Sequence, residues 1–179
     1  MIAINNYITE RLNPRHLGST SKPKTTHEFF PSTRQELHFY IQEHLANHNY
    51  NLNDIDVSLI RDFSWIFSHC GTLKADISKW TMTQAIDLSF MFYNTKFNGD
   101  ISGWDVSSVT NMSNMFEKSN FNGDISDWDV SNVNDMSCMF LNDKKFNQNL
   151  NRWTVKPRTK MFHAFEGSPL EKTPPVWYK

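Results

Sequence analysis

The chain has 179 residues, a net charge of −1 and 39% hydrophobic side chains. That is enough apolar material for one packed domain or a short row of stacked repeats, and too little basic charge for a generic nucleic-acid binder. No run approaches the roughly 18 apolar residues of a membrane helix, and the opening MIAINNYITERLNPRHLG lacks the basic-then-apolar order of an export signal, so neither membrane nor leader is expected.

In chain order, residues 1–31 read as an N-terminal arm, with Pro14, Gly18, Pro23 and Pro31 breaking regular structure and a short helix over 5–12 packing on the cap. Residues 32–51 read as that helical cap. Ser32, Thr33, Arg34 and Gln35 fit a capping box with Ser32 as N-cap and Gln35 reaching back. Leu37, Ile41 and Leu45 then recur every fourth residue, which predicts an amphipathic helix over 33–47. Its expected task is to cover the open end of the next region.

That region, 52–165, is repetitive. The tryptophans Trp80, Trp104, Trp128 and Trp153 are separated by 24, 24 and 25 residues. Leu73, Phe97, Phe121 and Phe146 repeat the same steps, and Phe67, Phe92, Phe116, Phe140 and Phe165 form a third column. A fixed period of this size marks stacked units, each too small to bury its own apolar face. The units fall near 52–72, 73–96, 97–120, 121–145 and 146–165, the first lacking its tryptophan half. Within a unit, NGD at 98–100 is turn chemistry, DISGWD reads as a short strand and SNMFEKS as a helical or 3-10 turn. The expected architecture is an α/β repeat solenoid, leucine-rich-repeat-like, with a parallel sheet along one side. Residues 166–179 form a C-terminal cap tail, where Pro169, Pro174 and Pro175 forbid another coil and Trp177 and Tyr178 cover the last one.

FNGDISGWDVSSVTNMSNMF and FNGDISDWDVSNVNDMSCMF resemble the BspA-like leucine-rich repeat family, the short Asp/Trp/Met-rich repeats of bacterial surface proteins and mycoplasma lipoproteins. The resemblance covers about residues 52–165. It implies a macromolecule-binding solenoid without catalytic residues, here as a compact bacterial or phage version. The unit FNQNLNRWTVKPRTKMFHAF departs from the pattern by losing its acids and gaining Arg152, Lys156, Arg158 and Lys160.

Candidate chemistry is sparse. His44 and His48 stand one helical turn apart, but HLANH has no metalloprotease glutamate or third ligand, so surface histidines are expected. Asp76, Asp100 and Asp124 form one carboxylate column, Asp105 and Asp129 a second, and Asp87 and Asp135 a third with Asn111. Turn capping is preferred to calcium binding for them. Cys70 and Cys138 fall at non-equivalent positions and read as thiols rather than a bridge. The tryptophan column is read as core with partly exposed ring edges, the alternative being an outward aromatic strip. No metal, cofactor or catalytic residue is assigned.

The function expected is non-enzymatic binding of a protein partner, by a cytoplasmic factor of phage or mobile-element origin acting on a host protein. The partner-binding residues chosen are Ser102, Trp104, Asp105, Ser126, Trp128, Asp129 and Arg152, on a strand face made by 78–81, 102–105, 126–129 and 151–154. The alternative is a surface or virion adhesin that binds glycan. Neither nucleic acid nor membrane is expected as a partner.

Overall fold

The computed structural model describes residues 27–178. The helix expected over 5–12 and most of the arm lie outside them. The one α-helix among the described residues, α1, spans Arg34–Ala46. Its cap sits one residue later than the sequence suggests. Thr33 is the N-cap, with its hydroxyl accepting from Glu36 N at 3.2 Å, and the Glu36 carboxylate takes Ser32 N and Oγ at 2.7 and 2.9 Å. The cap therefore runs from Glu36 N–H to Thr33 and from Ser32 to the Glu36 carboxylate, and Gln35 takes no part in it. Leu37, Tyr40, Ile41 and His44 form the buried stripe, and His48, with φ of 57°, turns the chain out of the helix.

Beyond α1 the expected parallel sheet is absent. Among the described residues there is no strand, only isolated parallel bridges such as Asp87↔Asn111 and Asn111↔Asp135. The segment read as a strand, 100–105, is a turn in which Trp104 N returns to Ile101 O at 3.2 Å. The α/β, leucine-rich-repeat-like assignment is thereby overturned. The physical reason is in the backbone. Trp65 and His69, Phe90 and Asn94, Asn114 and Lys118, Cys138 and Asn142, and His163 and Gly167 all have positive φ, in pairs four residues apart. These pairs fall in the segments expected as helical or 3-10 turns, where they stop a helix from continuing, while in the segment expected as a strand the turn from Ile101 to Trp104 itself breaks the pleat.

These residues instead divide the backbone donors between two directions. Phe63, Trp65, Phe67 and His69 donate forward to the carbonyls of Asp87, Ser89, Met91 and Tyr93 at 2.9–3.1 Å. Ile66, Ser68 and Cys70 donate locally to Phe63, Trp65 and Phe67 at 3.1–3.3 Å. The pattern recurs from 88–94 to 111–117, from 112–118 to 135–141 and from 136–142 to 160–166. Nearly every N–H along this wall is thus satisfied without a sheet.

The interior is a set of ring stacks. Phe67, Phe92, Phe116, Phe140 and Phe165 succeed one another at 5.5–5.8 Å with planes within 9°. Phe97, Phe121 and Phe146 form a second file at 6.1–6.3 Å. The rings stand offset and parallel, a favoured arrangement for aromatic quadrupoles. The NGD glycine serves this packing: a Cβ on Gly123 would lie 2.8 Å from the Phe121 ring. Where Gln148 replaces that glycine, Phe146 approaches Phe140 to 3.8 Å, against 4.3 Å for Phe121 on Phe116.

Candidate functional site

The tryptophans are core. Trp80, Trp104, Trp128 and Trp153 are 3–4% exposed. Each indole N–H donates to a carbonyl of the preceding layer: Trp80 to Leu52, Trp104 to Ile77, Trp128 to Ile101 and Trp153 to Ile125, at 2.9–3.1 Å. Trp177 adds a fifth member, bonding Leu150 O at 2.7 Å and stacking 6.0 Å from Trp153. Trp104 and Trp128 are therefore removed from the set of side chains a partner could touch. Burial of an indole requires a partner for its N–H, and the neighbouring layer supplies one.

The other chosen residues lie on exposed or half-buried turn edges rather than on a strand face. Ser102 N and Oγ both donate to Asp100 Oδ1, at 3.0 and 2.7 Å. Ser107 does the same to Asp105, at 3.1 and 2.6 Å. Ser126 N bonds Asp124 and Ser131 N bonds Asp129, at 2.9 and 3.0 Å, and Arg152 pairs with Asp127. The aspartate columns are thus turn caps. Their bonds have an electrostatic result. The Asn53 amide and the Ser78 donors hold the Asp76 carboxyl below its ordinary range. Ser102 N–H does so for Asp100, Ser126 N–H for Asp124 and the Ser131 hydroxyl for Asp129. The third column relieves its own repulsion: Asn111 Nδ2 donates to Asp87 at 3.0 Å, and Lys160 stands 3.7 Å from Asp135. Among the described residues no three His, Cys, Asp or Glu side chains gather as metal ligands.

His44 is not a surface histidine. It is buried, with Nδ1 2.7 Å from Tyr40 O and Nε2 3.2 Å from both Asp54 oxygens, and it ties α1 to the first layer. Cys70 and Cys138 are free, half-buried thiols, and burial pushes both up.

Two groups of residues are not evident from the sequence. The first is Asp143, wholly buried at a position where the other layers place Thr95, Ser119 and Ser168. The chain carries one extra residue here, since Phe140 to Phe146 is a longer step than Phe116 to Phe121. The carboxylate absorbs the additional donors. One oxygen takes Lys145 N and Phe146 N at 2.9 and 3.2 Å, the other Ser119 Oγ and Phe121 N at 2.6 and 3.1 Å. Burial nevertheless raises its pKa to about 6.

The second is an exposed aromatic cluster at the α1 end. Trp65 stacks on Phe90 at 3.9 Å and 8°, and Tyr93 meets both rings edge-on at 6.0 and 5.8 Å. A signal for it does exist: positions 65 and 90 hold large rings where 114, 138 and 163 hold Asn, Cys and His.

Turn-built units in register, each closing the core of the next, define a short-repeat protein whose variable chemistry is on its outer edges. The chain belongs to the family described as Mycoplasma protein of unknown function, DUF285, whose model matches residues 38–119 and, overlapping them, 61–175. This supports a mycoplasma and BspA-like relationship at the level of the family. No curated protein and no solved structure matches the chain.

Proposed function

We propose that the protein is a non-enzymatic binding module, a compact bacterial or phage relative of the BspA-like repeats, that engages a protein partner along its turn edges. The observation that carries this reading is the carboxylate array. Asp76, Asp100 and Asp124 recur once in each of three successive layers, Asp129 stands beside Asp124 in the last of them, and all four are exposed and held in the ionised form by bonds from the chain itself. Fixed negative charge on a rigid frame suits a partner with a basic face, whose approach it would steer. Residues 52–150 carry 13 acidic against 7 basic side chains, which extends the same field. Ser102, Asp105, Ser126, Asp129 and Arg152 lie within or beside it. The carboxylates recur from layer to layer until the last unit, so no single pair is set apart for acid–base catalysis.

The test is affinity capture from the native host, comparing the natural chain with Asp105→Lys/Asp129→Lys. Loss of a captured protein supports the reading, with a host protein as the partner. Unchanged recovery removes this face from it.

A further inference from the structure

Trp65 and Phe90 hold φ of 64° and 56°. Asparagine tolerates this backbone readily, as at Asn114; for a bulky side chain it is a genuine outlier with a steric cost. Trp65 does not recover that cost by burial, for it remains 45% exposed. Its ring is nevertheless fixed, backed by Phe90 and braced by the edge of Tyr93. The left-handed backbone recurs in every layer, so what is particular here is a large, half-exposed ring where Asn would fit at lower cost, and that choice points to a use for the plane.

The plane forms one side of an open cleft of about 360 Å³, lined by Trp65, Ile66 and three polar residues of α1, Arg34, Gln35 and His38. Phe90 belongs to the layer on the far side from α1, so the indole face turned toward the helix borders the cleft. Arg34 is positioned by Ser64 O at 2.9 Å and by Asp62 at 3.5 Å. Its charge is therefore largely balanced, and the cleft offers hydrogen-bonding capacity instead: guanidinium donors, an amide that both donates and accepts, and an imidazole.

We propose that this cleft is a carbohydrate site that takes one hexopyranose ring of a glycan. The C–H face of a pyranose carries slight positive charge and lies flat on the negative face of an indole. Its equatorial hydroxyls need neighbours that both give and accept hydrogen bonds, which Arg34, Gln35 and His38 supply. The volume falls within the range of small-ligand sites. A charge-balanced, concave site beside a rigid ring fits a sugar better than the flat, wider contact of a protein. This site is separate from the carboxylate array, and neither assignment depends on the other.

The test is titration of the full chain with cellohexaose, maltohexaose, chitohexaose and a hyaluronan hexasaccharide, monitored by tryptophan fluorescence and calorimetry. Saturable binding of at least one is expected, weakened about tenfold or more by Trp65→Asn and by Gln35→Ala, with both variants retaining the natural circular dichroism spectrum. The neutral and carboxylated arms separate ring stacking from anion recognition, and binding in either supports the site. Silence across all four sugars overturns the proposal, as does binding that survives Trp65→Asn. Loss of a captured protein in Trp65→Asn with the sugars silent would assign the cluster to the protein interface instead.

Discussion

Replacing Asp143 by Asn should change how stability responds to pH. In the folded chain the Asp143 carboxyl titrates at about 6, against an ordinary value of 3.8, because burial outweighs its four hydrogen bonds. A folded value above the unfolded one means that the native state favours the proton. The stabilisation is complete below pH 4 and is lost as pH rises through 6. The difference between the two values corresponds to ~3 kcal/mol. The variant does not titrate, so its stability lacks this component. It carries a constant penalty instead. Its amide carbonyl can face Lys145 N and Phe146 N, and the Ser119 hydroxyl can rotate to accept from the amide nitrogen, but Phe121 N–H loses one of its two acceptors. Because Phe121 N–H keeps its 3.1 Å contact with Ser119 Oγ, the penalty stays near the low end of about 1–3 kcal/mol. The natural chain should therefore be the more stable at pH 4, with its advantage vanishing or reversing by pH 7.5. Urea denaturation at intervals between these values, read by the intrinsic tryptophans, measures the difference directly, and the contributions of the other carboxylates cancel between the two chains. A stability difference independent of pH would refute the reasoning.

Trp128→Phe should cost about 2 kcal/mol in chemical denaturation, because Ile101 O loses its buried donor and the stack on Trp104 shrinks. Thr33→Ala should cost about 1 kcal/mol, and Gln35→Ala almost nothing, because the capping pair is Thr33 with Glu36. Trp177→Ala should lower the melting temperature and speed amide exchange selectively in the last layer, since it uncovers Trp153 and Phe165.

The layered core is legible in the sequence because stacking demands it. A side chain that packs on its own copy must recur at a constant interval, and three aromatic columns do so. The wall is not legible, for an equally physical reason. Apolar spacing reports which side chains point inward, not the sign of φ, and the left-handed positions hold residues as different as Trp65, Lys118 and Cys138. Only Asn94, Asn114, Asn142 and Gly167 hint at them. The aspartate caps are legible from Asp–x–Ser, since a carboxylate two residues before a serine reaches its N–H. Asp143 is not, because its role arises from one extra residue in a corner. The Trp65 cluster is hidden for another reason: aligning the repeats on their buried columns passes over the exposed one, where the departure from Asn, Cys and His is the informative feature.

The joints between layers are clasped from both directions. Backbone N–H groups of one layer reach forward, as Phe92 N does to Met115 O, while the indole of the later layer reaches back, as Trp104 does to Ile77 O. Each joint involves only adjacent units, about 24 residues of chain. Such a molecule can grow by accretion as it leaves the ribosome, each unit locking onto the last without waiting for a distant partner. Its length is then an adjustable quantity: whole units can be gained or lost with every clasp preserved, and only the two ends, α1 and Trp177, have to stay.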